Sequence, residues 1–420
     1  MIFLLLLNLD SLIKEIENEG ITISFIFYDL ENDSIIAQYY PMRRLPPASI
    51  QKIITTFTAL KIFKKNFTFK TYFFRFKDEL YVFPNGDPLL KDVDLDSISK
   101  KIYELGYKKF SKLYYDDRYF TKSKYPKGWF WDELDESYAP PIRPLVLNGG
   151  IFTLTYKFAP KHNFNNLYVK LIKSNILKYE IISDTILVYG DFSRISNLTF
   201  PQKEPEQFFL WSFKNALYKN NVIVDSVAGF KELPNDAILI YTYESKPLDS
   251  ILKYMNLVSS NLIAEMILRS IGAWIYSKGD WENSIKALKN ILYLEGIDTN
   301  FVMYDGSGLS RYNLISPMTF IQIYKSVYKD KSFFKDFLNV LVEPGEGTLK
   351  DRLRQLKGRL KAKTGTLRNT VSLTGVIDER IAFCIIIYGF NSNFQKYRNI
   401  IDNLVLMLGA GLEPASPKGQ

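Results

Sequence analysis

The sequence is nearly without histidine and cysteine. One histidine, His162, and one cysteine, Cys384, occur in 420 residues. A zinc centre needs three or four Cys, His or carboxylate ligands and an intramolecular disulfide needs two cysteines, so zinc-finger, disulfide-scaffold and thioredoxin-like readings fall away. A Ser-His-Asp triad would rest on His162 alone, which sits in the polar stretch KFAPKHNFNN, expected to be a loop. Cys384, within IAFCIIIYGF, is expected to be a small buried hydrophobe in a strand. No run approaches the ~18 apolar residues of a membrane-spanning helix. Low-complexity tracts are also missing, and 47% hydrophobic with 24% charged residues is the balance of a folded chain.

The net charge of +9 suits an acidic polymer or an anionic membrane surface, and peripheral membrane association is left open. The basic residues are scattered, without the Arg/Lys stripe interleaved with aromatics of a nucleic-acid groove, so no nucleic acid is expected as partner. At the N-terminus Ile2-Phe3-Leu4-Leu5-Leu6-Leu7 is shorter than a ~7–15 residue signal core and lacks a basic flank. It reads either as the stump of a signal peptide or as the first turns of an amphipathic helix.

Leu9, Leu12, Ile13 and Ile16 at helical spacing predict a helix over 8–19, with Asp10 as its N-cap. ITISFIFYDL and SIIAQYYP, separated by ENDS, predict a β-hairpin. Pro46 and Pro47 precede apolar positions Ile50, Ile53, Ile54, Phe57 and Leu60, whose spacing predicts a second helix. From about 70 to 240 the texture changes to short strand-like pieces broken by turns, read as a mainly β insertion. Helical patterns return in LDSILKYMNLVSSNLIAEMILRSIGAWI and WENSIKALKNILYLEG. The strands TVSLTGVID and RIAFCIIIYGF and a last helix, KYRNIIDNLVLML, follow, and the tail from Gly409 is expected to be flexible.

With histidine nearly excluded, a hydrolase must activate its nucleophile by lysine, by carboxylates or by a metal held on carboxylates. The tetrapeptide SxxK, which pairs serine with lysine one turn apart, recurs from Ser11, Ser97, Ser250, Ser326 and Ser332, so alone it says little. Ser49 stands out because it follows PPA and opens an apolar helix, whose first-turn amides point at whatever the serine attacks. Lys52 lies on the same face, and a dry site would lower its pKa and supply a neutral amine as base. Ser259-Ser260-Asn261 and Lys363-Thr364-Gly365-Thr366 follow in order. SxxK, an SDN-type triplet and KTG together form the motif set of β-lactamases and penicillin-binding proteins. Asp305 and Ser307 in DGSG read as turn residues, Asp116 and Asp117 as a solvated pair, and GWFWDEL as aromatic packing at a domain junction.

PPASIQK, NGDPLL at 85–90, DDRYF, GWFWDEL, VSSNLIAEMILRSIG, DGSGLSRYNLISP, GEGTLKDRL and AKTGTL resemble stretches of the D-alanyl-D-alanine carboxypeptidases of the penicillin-binding protein 4 type, the S13 peptidases. The likeness runs from about residue 8 to 405 and is faintest over 150–235. It implies an α/β (α+β) chain whose β-lactamase/transpeptidase-like domain has an antiparallel sheet flanked by helices and carries a nested, mainly β insertion. The limits expected are 1–70 and 240–420 for the peptidase domain, 71–145 and 203–239 for the inserted domain, and 146–202 for a nested third.

By the same resemblance Ser49 attacks the penultimate D-alanine carbonyl of a peptidoglycan stem peptide and forms an acyl-enzyme, with Lys52 as base. Ser259 relays a proton to the leaving amine, supported by Lys363, and Asn261 holds the substrate amide and Lys52. The N–H groups of Ser49 and Thr366 make the oxyanion hole, Gly365 belongs to the binding strand, and the Thr364 and Thr366 hydroxyls bind the terminal carboxylate. No cofactor or metal is implied. β-Lactams are expected to bind, DD-endopeptidase activity is an expected companion of the carboxypeptidase, and the location is expected to be extracytoplasmic, with a truncated, misassigned or minimal export signal. The alternatives kept are a serine β-lactamase, though no Glu-containing loop of the class A kind is found, and a non-catalytic cell-wall binding protein of the same fold. Ser260 stands where Asp or Asn is common in the triplet.

Overall fold

The computed structural model describes residues 2–155, 161–192 and 197–410, with side chains from residue 9 onward. Residues 411–420 of the tail, and most of the stretch before His162, lie outside the described residues.

A five-stranded antiparallel sheet organises the part of the chain that carries the SxxK, SxN and KTG motifs. Its strand order is Leu360–Leu367, Thr370–Ile377, Ile381–Tyr388, Thr22–Asp29, Ser34–Tyr39. The central strand IAFCIIIY is apolar on both sides, and its period of two divides it between two cores. Ala382, Cys384 and Ile386 join the cluster under the helices Lys52–Phe63, Asn261–Tyr276 and Pro317–Tyr328. Ile381, Phe383, Ile385 and Ile387 join the one under the first and last helices, Ile2–Asn18 and Phe394–Ala410. Cys384 is therefore the buried strand residue expected, and burial pushes its thiol upward.

The first helix begins at Ile2, not near Asn8, because the apolar run continues the helical pattern. Asp10 thus lies mid-helix and exposed rather than at an N-cap, while Leu9, Ile13 and Ile16 are buried. The hairpin forms as read.

The chain leaves through Lys70–Phe76 and returns through Ile238–Glu244, which pair antiparallel, so the insertion hangs on adjacent entry and exit strands. Its mixed sheet runs Ile223–Phe230, Lys109–Tyr115, Glu79–Pro84, Lys70–Phe76, Ile238–Glu244. The first two pairings are parallel and need long crossovers. One crossover is the helix Asp92–Glu104, and the other ends in the helix Pro205–Lys219. Strands predominate as read, but these two helices were not anticipated: Leu95, Ile98 and Ile102 sit at helical spacing inside a stretch scanned for strands. Within 151–201 two further three-stranded sheets share one apolar cluster with the inserted sheet and its helices. His162 belongs to the short strand Lys161–His162, paired to Leu154 and Thr155, and is half-buried rather than in an open loop.

The segment 116–147 has little regular structure and is tied down by buried charge. Arg269 is 0% exposed and donates to the carbonyls of Gly279 (2.8 Å), Ile142 (2.9 Å) and Thr121 (2.8 Å), with the Phe120 and Trp281 rings over its guanidinium. Asp117 and Glu206 both receive Arg143, and Asp116 is fully buried against Arg118. Asp116 and Asp117 are therefore paired structural carboxylates, not a solvated couple: a carboxylate is buried only where cations and N–H donors replace water.

Candidate active site

Pro46 and Pro47 prevent a helix from starting earlier, and the chain turns into the 3₁₀ helix Ala48–Gln51, followed by Lys52–Phe63. In 3₁₀ geometry residues three apart eclipse, which brings the Lys52 side chain under Ser49. Nζ of Lys52 donates to Ser49 Oγ at 2.9 Å, to Asn261 Oδ1 at 2.7 Å and to the Ser307 carbonyl at 2.8 Å. Among the described residues no other side chain hydrogen-bonds Ser49 Oγ. Lys52 is 0% exposed, and burial lowers its pKa to about 7, with Asp305 and Glu265 opposing the fall. Lys52 is therefore a desolvated lysine rather than a surface one.

Two glycines hold this turn. A Cβ on Gly308, whose φ is +84°, would lie 2.0 Å from the Ala48 carbonyl oxygen. One on Gly365 would lie 2.9 Å from the Pro47 oxygen and 3.0 Å from the Ser49 nitrogen. Only a residue without Cβ lets the DGSG turn and the edge strand close on the serine from two sides.

The SxN triplet joins two helices within the stretch read as helical. Leu248–Val258 ends at Ser259, whose φ of 57° is left-handed, and Ser260 caps Asn261–Tyr276 by accepting from the Ile263 N–H at 3.3 Å. Ser260 thus has the capping role, which leaves the flanking Ser259 and Asn261 side chains facing the site. Asn261 accepts from Lys52 and donates its Nδ2 to the Tyr138 carbonyl at 3.0 Å, which fixes its amide orientation.

Lys363, also 0% exposed, donates Nζ to Ser259 Oγ at 2.9 Å and to the Thr364 carbonyl at 2.8 Å. Burial, and then the Lys52 charge, hold it well below the usual lysine range. The strand Leu360–Leu367 is a sheet edge, and Ala362 exchanges both backbone bonds with Val342 on the side away from Thr370–Ile377. Strand alternation turns the N–H groups of Thr364 and Thr366 to that same outer side. The N–H of Ser49, in the first turn of its helix, has no intrahelical acceptor.

A cleft of about 650 Å³ opens over these groups, lined by Ser49, Tyr138, Ser259, Asn261, Thr366 and Arg368 among others. Of the residues named from sequence, Ser49, Ser259, Asn261 and Thr366 reach its surface. Lys52 and Lys363 lie buried beneath it, while Thr364 and Gly365 are buried in the strand and do not line it. His162 lines neither this cleft nor the one adjoining it.

Lys52 rests on two buried carboxylates that no motif marks in the sequence. Asp305, 0% exposed, accepts from Gln51 Nε2 (2.9 Å), Trp129 Nε1 (2.9 Å), Asn313 Nδ2 (2.8 Å) and the N–H of Gly308 (2.9 Å) and Ser310 (2.6 Å). Glu265, likewise buried, accepts from Gly306 N (2.9 Å), Ser307 N (2.8 Å) and Trp281 Nε1 (2.8 Å). Burial and Asp305 push the Glu265 carboxyl up to about 7, against these donors. The two carboxylates clamp the turn whose Ser307 carbonyl receives Lys52. GWFWDEL is likewise more than packing: Trp129 serves Asp305, and Asp132 and Glu133 line the cleft, Glu133 paired to Arg311 at 2.7 Å.

The model of the D-Ala-D-Ala carboxypeptidase 3 (S13) family matches residues 5–410. Penicillin-sensitive carboxypeptidase A of Dictyostelium discoideum is 26% identical over 429 residues, covering 87% of this chain and 82% of the relative. D-alanyl-D-alanine carboxypeptidase DacB of Haemophilus influenzae is 24% identical over 420 residues, covering 89% and 87%. The crystal structure of penicillin binding protein 4 from Haemophilus influenzae superimposes with a TM-score of 0.82 at 23% identity, over 96% of this chain and 99% of the other. A predatory endopeptidase of Bdellovibrio bacteriovorus, solved with its immunity protein, gives 0.58 at 15% identity over 95% and 96%, a likeness of fold.

Proposed function

From the D-Ala-D-Ala carboxypeptidase 3 (S13) family of serine hydrolases, to which this chain belongs, we propose that Ser49 is the nucleophile and that Lys52, Ser259, Asn261 and Lys363 carry its chemistry. The single observation behind this is the contact of a buried lysine, with its pKa near 7, to the hydroxyl of Ser49 at 2.9 Å. A neutral Lys52 takes the Ser49 proton as Oγ bonds to the penultimate D-alanine carbonyl carbon. The developing oxyanion is received by the N–H groups of Ser49 and Thr366, each such donor contributing about 100- to 1000-fold in rate. The C–N bond then breaks as the proton taken up by Lys52 is passed to the leaving amine through Ser259, which Lys363 holds, so that Lys52 is neutral again. Water hydrolyses the ester and restores Ser49.

The substrates are peptidoglycan stem peptides and the location is extracytoplasmic, where that polymer lies. β-Lactams acylate Ser49 because they present the same carbonyl and carboxylate. The Thr366 hydroxyl on the cleft wall binds the terminal carboxylate, with Thr364 and Gly365 shaping the strand behind it. DD-endopeptidase activity uses the same groups with a longer leaving arm. A non-catalytic reading is disfavoured by two desolvated lysines, which a binding protein would have no reason to keep buried. Release of free D-alanine from a peptide ending in D-Ala-D-Ala tests the proposal. Wild type releases it and Ser49→Ala does not; release by Ser49→Ala at the wild-type rate overturns it.

A further inference from the structure

Lys52 Nζ has three acceptors, and the insertion holds two of them. Asn261 turns Oδ1 toward Lys52 because its Nδ2 donates to the Tyr138 carbonyl at 3.0 Å. The Ser307 carbonyl is presented by the DGSG turn, whose Asp305 accepts from Trp129 Nε1 at 2.9 Å. Only Ser49 Oγ belongs to the turn that carries Lys52 itself. Trp129 and Tyr138 lie in the irregular segment between the entry strand Lys70–Phe76 and the exit strand Ile238–Glu244.

This segment is bolted to the peptidase part at close quarters. The Gly128 carbonyl accepts from the Arg311 N–H at 3.1 Å, and a Cβ on Gly128, whose φ is +83°, would lie 2.2 Å from Ser310 Oγ. Glu133 pairs with Arg311 at 2.7 Å. One side chain fixes both flanks: Arg269, from the helix Asn261–Tyr276, donates to the carbonyls of Thr121 (2.8 Å) and Ser123 (3.0 Å) before the segment and of Ile142 (2.9 Å) after it. Trp129 is 8% exposed, shares an apolar cluster with Ala48, Leu262 and Leu309, and lines neither cleft. It is out of a substrate's reach, and its one polar side-chain atom is directed at Asp305.

We propose that Trp129 is a positioning residue for the catalytic base: through Asp305 and the Ser307 carbonyl, with Tyr138 and Asn261 on the other side, the insertion sets where Lys52 stands against Ser49. The proposal rests on the peptidase reading above, in which Lys52 is the base. The charged groups facing Lys52 are Asp305 on the turn, Glu265 on the helix Asn261–Tyr276 and Lys363 on the edge strand. The indole N–H sets a partial positive charge against the first of these. Without it the field of Asp305 at Lys52 is more negative, and Lys52 keeps its proton to higher pH. The turn also loses a fixed point, and a base displaced by about 1 Å can cost roughly 100-fold in rate.

The full chain is acylated with a chromogenic β-lactam across pH, and the maximal rate and the half-saturating concentration are read separately. In Trp129→Phe the maximal rate falls about tenfold or more, the half-saturating concentration stays within about twofold of wild type, and the rising limb of the pH profile moves up by about half a unit. Benzothienylalanine in place of Trp129 keeps the shape of the ring and puts sulfur where the N–H was. It moves the limb in the same way, which separates the lost bond from lost packing even where Trp129→Phe does not fold. A limb unmoved by benzothienylalanine, or a loss that appears in the half-saturating concentration instead, overturns the assignment. The wild-type profile separates the causes. If it rises with pH and the benzothienylalanine protein matches it, the inference about Trp129 alone fails; if wild type shows no acylation or no rising limb, the reading of Lys52 as base fails with it.

Discussion

Lys52 Nζ stands 2.9 Å from Ser49 Oγ with no exposed surface of its own, so the proton of the hydroxyl has a desolvated amine to go to. Lys52 acts as base only when neutral. With a folded pKa of about 7, the neutral fraction grows as pH rises through that value, so acylation climbs from pH 6 and levels off above about 8. Lys52→Ala loses about 10²–10⁴-fold in acylation. Lys52→Arg, charged at every pH, loses as much and shows no rising limb. Stopped-flow acylation by a chromogenic β-lactam across pH reads all three; a flat profile in wild type would exclude Lys52 as the titrating base.

Glu265 reaches Lys52 through the Ser307 peptide: it accepts the Ser307 N–H at 2.8 Å, and the Ser307 carbonyl accepts from Lys52 at 2.8 Å. Its charge also raises the Lys52 pKa, against the larger effect of burial. Glu265→Gln removes that charge, so Lys52 loses its proton more readily and the rising limb moves to lower pH. The plateau falls about tenfold because the turn loses an ionic acceptor for its N–H groups. A plateau loss without movement of the limb would assign Glu265 a structural part only.

Gly308→Ala places a Cβ 2.0 Å from the Ala48 carbonyl at a φ of +84°. Overpacking of this kind costs about 1–3 kcal/mol, and the left-handed backbone adds about 1 kcal/mol. Gly358→Ala has a similar φ, +78°, with nothing within 4 Å, and carries the second cost alone. Thermal melts should rank the variants in that order, and only Gly308→Ala should slow acylation. Equal acylation rates in the two would remove the clasp from the account.

His162 lies in a two-residue strand among the insertion's aromatics, where burial lowers its pKa, and it lines neither cleft. His162→Ala therefore leaves kcat/KM for D-alanine release within about twofold of wild type, since no proton in the proposed path passes through it. A loss beyond tenfold would mean that a histidine serves the chemistry after all.

What could be read in advance was local. Ser49 and Lys52 sit in one turn, Ser259 to Asn261 in one helix junction and Lys363 to Thr366 on one strand, so each motif carries its own geometry. The hairpin and the strand IAFCIIIY were legible because alternation and β-branching extend over whole segments. Glu265, Asp305 and Gln51 were not, because the contacts that matter lie outside their own motifs, Gln51 with Asp305 across 254 positions and Glu265 with Ser307 across 42, and DGSG is an ordinary turn until Glu265 is known to lie beneath it. A signal existed: Glu265 and Arg269 are charges inside the apolar run NLIAEMILRSIGAWI, and such a pair is either solvated or bound to something buried. Both are fully buried with separate partners. The helices Asp92–Glu104 and Pro205–Lys219 escaped notice because strand-like pieces on either side set the expectation for the whole stretch.

The most direct test of the central claim is the mass of the protein after brief exposure to penicillin, with the modified peptide located by fragmentation. One stable penicilloyl adduct is expected on the peptide containing Ser49, formed faster at pH 8 than at pH 6 and absent in Ser49→Ala. No adduct, an adduct on another residue, or one that survives Ser49→Ala would contradict the claim.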